Sequence, residues 1–198
     1  MIYRKAQLED VNTIVRIHCD AFEGFFLTSL GVPFLTFYYT CFVNSYETVT
    51  IVSEEKAQIC GFAAATTSSK GFNIRFIKNN FLNFVLLSFK MLFTAPKALL
   101  RLVKNLTKKG TIVVDDEDYA ELYSIGVSPS FQGKGIGKTL LTELEKELKK
   151  KGVEKVSLTT DYENNDTAVG FYRSLGYETL YEFITYPDRK MFRLIKFL

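Results

Sequence analysis

The segment that says most about this chain is Gln132-Gly133-Lys134-Gly135-Ile136-Gly137-Lys138-Thr139. It follows an apolar run, Leu122 to Val127, that predicts a strand, and it precedes an amphipathic helix. Glycines at alternate positions let the backbone approach a ligand closely and turn its N–H groups into one concavity. The N-terminus of the following helix adds partial positive charge. The segment therefore predicts a phosphate or pyrophosphate site at a strand-to-helix turn.

Composition indicates the broad class of protein. A chain of 198 residues suits one domain with a buried core, and we expect a single domain over residues 1–198. Hydrophobic residues make up 47% and charged residues 24%, as in ordinary soluble proteins. The net charge of +3 is too small to indicate a nucleic-acid partner. Residues 1–5 are not followed by the apolar segment of a secretion signal, so we expect a cytoplasmic protein.

The cysteines and the single histidine indicate neither a metal site nor a cysteine nucleophile. Cys19, Cys41 and Cys60 are odd in number and lack metal-ligand spacing, which favours reduced thiols in the core. A catalytic cysteine would need a histidine partner. His18 is the only histidine, and because it adjoins Cys19 it lies on a different face of the predicted helix.

Hydrophobic periodicity predicts the order β-α-α-β-β, an inserted helical pair, and then β-α-β-α-β-β. We expect Asp10 to cap the first helix. This order predicts an α/β domain built on a mixed sheet. The predicted strands are 2–6, 48–53, 59–67, 119–127, 153–161, 177–186 and 190–198, and the predicted helices are 10–22, 33–43, 137–151 and 164–175.

The helix after the glycine segment has a clear apolar face. Leu140, Leu144 and Leu148 recur one turn apart, with Leu141 beside them. The charged residues between them, Glu145 included, are expected to face water mostly.

Residues 70–115 depart from the alternating pattern. Phe81 to Phe93 holds ten apolar residues in thirteen, Pro96 interrupts it, and Ala98 to Leu106 is more amphipathic. The apolar run is shorter than the about 20 residues that a membrane span requires. We therefore expect a helical pair folded onto the domain. A wall of an acceptor pocket, a dimer surface and an interfacial membrane contact stay open as alternatives.

Two other phosphate-binding patterns fit the glycine segment poorly. Gly137-Lys138-Thr139 matches the end of a nucleotide-hydrolase P-loop, but Gln132 stands where its first glycine is required. The acidic run Asp115 to Asp118 also comes before the segment and is typical of a solvated turn. A dinucleotide fingerprint needs the spacing G-x-G-x-x-G, which Gly133, Gly135 and Gly137 do not have.

A third pattern fits at every position. Gln132 to Gly137 matches Q/R-x-x-G-x-G/A and resembles the pyrophosphate loop of the GNAT acetyltransferases. Downstream, residues 165–177 resemble that family's N-x-x-A-x-x-F-Y-x-x-x-G-F motif, with Asn164 competing for the asparagine and Tyr177 where phenylalanine is common. The resemblance spans about residues 119–178. It implies a mixed, mostly antiparallel central sheet flanked by helices, with an extra helical insertion between strands 3 and 4.

The resemblance implies an acyl-CoA-dependent N-acyltransferase. Its co-substrate is most often acetyl-CoA, with no metal, and the acetyl group passes by direct attack to a primary amine of a small-molecule acceptor. The implied cofactor-binding residues are Ile125, Gly126 and Val127 of the fourth strand, Gln132, Gly133, Lys134, Gly135, Ile136, Gly137, Lys138 and Thr139 of the glycine segment, and Asn165 and Tyr172.

Two residues are candidates for proton transfer. Tyr172 matches the family's general acid, and a tyrosine of ordinary pKa, about 10, stays protonated at neutral pH. The two-residue period of a strand places Glu121 on the same face as Tyr123, Ile125 and Val127. In some family members a glutamate at that position acts as base, often through water. The alternative is that Glu121 is only a polar strand residue with a structural role.

The sequence does not identify the acceptor. Phe22 to Gly31, which usually belongs to the acceptor side in this fold, is aromatic and nearly uncharged, and this favours a partly hydrophobic acceptor or acyl group. An amino sugar on a nucleotide carrier, an amino-acid-like amine, an antibiotic, a protein N-terminus and a long-chain acyl donor all fit. A catalytically silent CoA-binding sensor or interaction module is the alternative function, and a homodimer is left open.

Overall fold

The structure is a computed structural model that describes residues 1–94, 96, 100, 118–185 and 188–198. Its strands are β1 Ile2–Lys5, β2 Thr48–Glu55, β3 Gln58–Thr66, β4 Ala120–Val127, β5 Lys155–Asp161, β6 Glu178–Thr185 and β7 Arg189–Phe197. Its helices are α1 Val11–Ala21, α2 Phe26–Ser29, α3 Val32–Asn44, α4 Phe72–Asn79, α5 Phe81–Thr94, α6 Ile136–Lys150 and α7 Asp166–Ser174. Short 3-10 turns occupy Leu8–Asp10 and Pro129–Phe131.

The seven strands form one sheet in the order β1-β2-β3-β4-β5-β7-β6. Every neighbouring pair is antiparallel except β4 and β5, which run parallel. The predicted mixed, mostly antiparallel sheet is therefore confirmed. The parallel pair lies at the centre of the sheet, where the glycine segment connects β4 to α6.

Helices cover both faces of the sheet. On one face, α1 and α3 pack with α4 around a core that includes Ile14, Tyr39 and Phe62. On the other face, α6 packs over β2, β3 and β4 around a core that includes Leu140 and Leu144. The leucine stripe predicted for this helix is fully buried, as expected from its one-turn spacing.

The inserted segment between β3 and β4 begins with α4, which the sequence did not predict, followed by α5, which matches the predicted helix at Phe81 to Phe93. The predicted helix at Ala98 to Leu106 lies outside the described residues except for Leu100, and so does the acidic run before Asp118. Among the described residues, no helix is both long and apolar enough to cross a membrane.

The side chain of Asp10 does not cap α1 in the predicted way. Its carboxylate accepts hydrogen bonds from the Gln7 backbone N–H at 2.8 Å and from Arg4 Nη1 at 2.7 Å. It therefore closes the turn before the helix and ties β1 to it. The sequence pattern identified the start of the helix correctly but assigned the wrong partner to the carboxylate.

A β-bulge changes which face the second half of β4 presents. Ser124 pairs with Ala64 and Leu122 pairs with Ala65, so Tyr123 is an extra residue without a partner on β3. Tyr123 packs on the α1–α3 face, whereas Ile125 and Val127 pack on the α6 face. The prediction that Glu121, Tyr123, Ile125 and Val127 share a face is therefore wrong beyond Tyr123, because the bulge shifts the two-residue alternation by one.

Glu145 of α6 is buried rather than facing water. Its carboxylate accepts a hydrogen bond from the Tyr177 hydroxyl at 2.9 Å and pairs with Lys196 Nζ at 2.6 Å. A buried carboxylate needs such partners, and both come from distant parts of the chain. The Glu145 carboxylate in turn provides a hydrogen-bond acceptor for the hydroxyl of Tyr177, which stands where phenylalanine is common in the family that the sequence resembles.

Candidate active site

The glycine segment forms a tight turn that leads directly into α6. Gly133 and Gly135 have φ of 77° and 74°, in the left-handed region that residues with a Cβ rarely adopt. Gly135 is the N-cap residue of α6, so the first N–H groups of the helix are those of Ile136 and the residues after it. The loop thus combines left-handed turns with a helix N-terminus, the geometry that binds phosphate.

Contacts on both sides hold the segment in place. Gln132 Nε2 donates a hydrogen bond to the Val127 carbonyl oxygen at 3.3 Å, which ties the segment to the end of β4. Gly137 has no positive φ, but a Cβ there would meet the Phe171 ring at 3.7 Å, so α7 packs directly against the segment. Lys134 and Lys138 are exposed at the segment, with Lys134 Nζ lying 5.0 Å from the ring centroid of Phe131.

Strands β4 and β5 part beside this loop. Their parallel register runs from Ala120–Val156 to Leu122–Leu158 and includes no later residue of either strand. Because β4 continues to Val127 and remains paired with β3, its other edge is open to a ligand with amide groups along this stretch. The opening between the strands leads into a cleft.

The cleft has a volume of about 280 Å³. It is lined by Phe22 and Phe25 after α1, by Leu122, Tyr123, Ser124 and Ile125 of β4, by Leu158, Thr159, Thr160 and Asp161 of β5, and by Asn165, Ala168 and Tyr172 at α7. A larger concavity, of about 350 Å³, borders Gly152 and Glu154. That concavity opens at the amino end of β5, away from the glycine segment, so we assign the candidate site to the smaller cleft.

Tyr172 lies in the wall of the cleft. Its ring packs against Phe171 and Tyr177, with centroid distances of 5.1 and 5.7 Å. Burial raises the pKa of its hydroxyl to about 12, because an ionised phenolate would be poorly solvated there. The hydroxyl therefore stays protonated and able to donate across the neutral range.

Asn165, and not Asn164, lies at the cleft. It is the N-cap residue of α7, and its side chain turns back to β5 instead of capping the helix. Its Nδ2 donates to Thr160 Oγ1 at 2.6 Å and to the Asp161 carbonyl oxygen at 3.1 Å. Asn164 has φ of 53°, and so supplies the left-handed turn before the helix.

Glu121 lies beside the cleft but not in its wall. Its carboxylate accepts a hydrogen bond from Arg193 Nη1 at 2.6 Å, and both side chains are largely buried. Burial acts to lower the pKa of Arg193, but the Glu121 carboxylate holds it above its ordinary value. Tyr123, which does line the cleft, has its pKa raised by burial and by this same carboxylate. Glu121 therefore reaches the cleft only through a neighbour.

The three β4 residues expected to bind the cofactor have different surroundings in the structure. Ile125 lines the cleft. At Gly126 a Cβ would come within 3.1 Å of the Phe62 ring and 3.4 Å of Ala21, so its side of the strand packs against α1. Val127 lies at the glycine segment, within 3.9 Å of where a Cβ of Gly137 would be.

One contact at the mouth of the cleft was not predicted from the sequence. Arg189, at the start of β7, pairs with Asp161 and lies 5.7 Å from the ring centroid of Phe25. It joins the end of β5 to the loop after α1. No local pattern could have identified it, because Arg189 lies 28 residues from Asp161 in the chain.

His18 does not form a site with a cysteine. Its Nδ1 shares a hydrogen bond with the Tyr39 hydroxyl at 2.7 Å, inside the core between α1 and α3. Burial lowers the pKa of His18 to about 4, so the ring is neutral at neutral pH. Burial likewise raises the pKa of each of the three cysteine thiols, which disfavours the reactive thiolate.

Comparisons with known proteins agree with this geometry. The sequence pattern of the Acetyltransferase (GNAT) family matches residues 12–177, which is most of the chain. An acetyltransferase of Pectobacterium atrosepticum is 43% identical over 58 residues. That match covers 29% of this chain and 40% of the relative, so less than half of the relative's length is compared.

Two solved structures have similar folds at low sequence identity. The ribosomal-protein-alanine N-acetyltransferase of Brucella melitensis has a TM-score of 0.66 and 18% identity, and the match covers all of both chains. The acetyltransferase yncA of Salmonella typhimurium, solved with its cofactor acetyl-CoA, has a TM-score of 0.62 and 17% identity. That match covers 100% of this chain and 94% of the other. At such identities the likeness shows the fold alone.

Proposed function

Because the chain belongs to the GNAT acetyltransferase family, we propose that it is an acyl-CoA-dependent N-acyltransferase. The proposed reaction moves an acetyl group from acetyl-CoA to a primary amine of a small-molecule acceptor. One observation carries this proposal. The cleft beside the parted strands β4 and β5 has Tyr172 in its wall, and β4 runs from that cleft to the glycine turn at the N-terminus of α6.

The residues fit the chemistry of the donor. Its pyrophosphate would lie against the backbone N–H groups from Gln132 to Lys138, with the exposed Lys134 and Lys138 supplying positive charge nearby. Its pantetheine arm is a chain of amides, and the open edge of β4 from Tyr123 onward offers backbone groups to pair with it. The Salmonella typhimurium neighbour solved with acetyl-CoA supports this choice of donor.

Tyr172 is the proposed general acid. As the amine nitrogen bonds to the acyl carbon, the carbon–sulfur bond breaks and the departing sulfur takes a proton from the Tyr172 hydroxyl. The raised pKa of this buried hydroxyl keeps the proton on Tyr172 at neutral pH, so a donor is present when the sulfur departs. The cleft position of Tyr172 supports the proposal, as does the N-terminal position of Asn165 on the same helix.

Glu121 is proposed to accept the proton that the amine loses. Because the carboxylate does not line the cleft, we infer that the proton passes through the Tyr123 hydroxyl or an intervening water. In that arrangement Arg193 orients the carboxylate.

The acceptor side of the cleft is aromatic. Phe22 and Phe25 line it, while Asp161 and Arg189 provide charge at its mouth. This mixture suits an amine carried on a partly apolar small molecule.

Ligand-induced thermal stabilisation tests donor binding. Acetyl-CoA at one hundred times its dissociation constant should stabilise the fold by about 2.7 kcal/mol, raising Tm by about 5 °C or more. Plain CoA and a long-chain acyl-CoA, tested in parallel, report on the acyl pocket. The absence of a shift with all three would contradict the proposal.

Thiol release over a panel of primary amines tests catalysis. We expect release with acetyl-CoA that depends on the presence of an amine and saturates with it. Tight acetyl-CoA binding without thiol release for any amine would instead support a CoA-binding sensor.

A further inference from the structure

The outward side of α5 is apolar although it faces solvent. On its inward side, Phe84 packs against Phe34 and Phe76, with ring centroids 6.4 and 5.9 Å away. On the outward side are five apolar residues, which we call the α5 outer face: Phe81, Leu82, Val85, Leu86 and Phe89. Leu82 and Leu86 are 76% and 67% exposed.

A surface helix normally has one apolar side and one charged side. Between Phe81 and Phe89 the sequence contains no charged residue at all. A contiguous exposed apolar face of this kind marks a surface that contacts something else. The α5 outer face consists of three aliphatic and two aromatic side chains.

The charge of the inserted segment indicates what that contact is. Residues 70–114 contain nine lysines and arginines and no aspartate or glutamate: Lys70, Arg75, Lys78, Lys90, Lys97, Arg101, Lys104, Lys108 and Lys109. The rest of the chain contains 16 basic and 22 acidic residues, so it is net negative. The positive charge of the protein is therefore concentrated in the segment that carries the apolar face.

A second copy of this chain would bring two such basic segments together, and their repulsion opposes pairing through this face. An anionic lipid surface has the opposite charge and an apolar interior. With 14 residues, α5 is too short to span a bilayer, but it is long enough to lie in the interface with its apolar side among the acyl chains. Each lysine or arginine near the headgroups adds electrostatic attraction.

We propose that the α5 outer face binds the surface of a bilayer containing anionic lipids, and that the net positive charge of segment 70–114 attracts the protein to it. This contact would lie close to the cleft, because α4 touches the cleft wall. The Tyr123 hydroxyl donates to Asn73 Oδ1 at 3.1 Å, and the rings of Tyr123 and Phe72 lie 5.7 Å apart. The inference does not depend on acetyl transfer, since binding alone tests it.

Vesicle flotation of the full chain is the first test. We expect the protein to float with vesicles of phosphatidylcholine and phosphatidylglycerol, to bind pure phosphatidylcholine far more weakly, and to dissociate as salt rises. The double substitution L82S/L86S should weaken binding by about tenfold or more. Its control, Ile2→Ser on the edge strand β1, removes a side chain that is 62% exposed and should change nothing.

Tryptophan fluorescence is the second test, since the chain contains no tryptophan. Leu82→Trp should give a blue-shifted emission only when anionic vesicles are added, and Ile2→Trp should not respond. Three outcomes would overturn the proposal: no flotation with anionic vesicles, equal loss of binding in the Ile2→Ser control, or a blue-shifted Leu82→Trp emission in buffer alone. The last would mean that a second copy or another part of the chain covers the face.

Discussion

Glu121 on β4 and Arg193 on β7 form a largely buried ion pair, with Nη1 and Oε1 2.6 Å apart, although 72 residues separate them in the chain. The guanidinium reaches across β5, which lies between their strands in the sheet. This pairing holds the Glu121 carboxylate in place beside Tyr123. Because Arg193 holds the carboxylate outside the cleft wall, the proposed base would act on the substrate through the Tyr123 hydroxyl or a water.

Replacing Glu121 by glutamine tests the base. Glutamine keeps an oxygen for Arg193 but cannot accept the amine proton, so we expect kcat to fall by about 100-fold. Glu143→Gln on the exposed side of α6 is the matched control and should behave as wild type. A Glu121→Gln enzyme that keeps the wild-type kcat would remove Glu121 from proton transfer.

Replacing Tyr172 by phenylalanine tests the acid. The ring contacts with Phe171 and Tyr177 are retained, so the fold and acetyl-CoA affinity should be unchanged. Turnover should fall by about 100-fold, because the departing sulfur loses its proton donor. Thiol release at saturating amine measures turnover, and Tyr46→Phe at a highly exposed site is the control. Unchanged turnover in Tyr172→Phe would falsify the assignment.

Gly135→Ala should damage both stability and donor binding. Its φ of 74° requires the left-handed region, which costs an alanine about 1–2 kcal/mol. The matched control is Gly170→Ala inside α7, where a Cβ meets nothing within 4 Å. That change should stabilise the protein by up to about 1 kcal/mol, since alanine favours helix. Urea unfolding measures the change in stability for each of the two substitutions. Equal changes in stability would contradict the role of the left-handed turn.

His18 should make the protein less stable in mild acid. Burial lowers its pKa in the folded state to about 4, against about 6.5 for an ordinary histidine, so the unfolded chain binds the extra proton between these values. Stability is therefore complete above pH 6.5 and falls as pH decreases toward 4. The loss from pH 7 to pH 5 should be about 2 kcal/mol.

His18→Gln removes this titration while keeping a polar partner for Tyr39. We expect its unfolding free energy to depend less on pH than that of the wild type over the same interval. Because the chain has a single histidine, the imidazole signal in NMR spectra reports the folded-state pKa directly. A titration near pH 6.5 in the folded protein would contradict the buried, neutral assignment.

Local patterns predicted the elements of the proposed donor site. The glycine spacing from Gly133 to Gly137 needs only a left-handed turn before a helix, and both belong to a few consecutive residues. The positions of Asn165 and Tyr172 follow from the same helix, α7. Each of these features depends on interactions within about ten residues, and such interactions can be recognised in a sequence without the fold.

Tertiary structure decided everything that depends on distant pairing. The bulge at Tyr123 arises from its register against β3, and it moved Ile125 to the opposite face from Glu121. Likewise, the partners of Glu145 and Glu121 come from β7 and from Tyr177, the residue directly before β6. The sequence by itself therefore determined the glycine turn and the order of the strands. Only the folded sheet, which brings separate strands into register, decided which carboxylates are buried and what reaches the cleft.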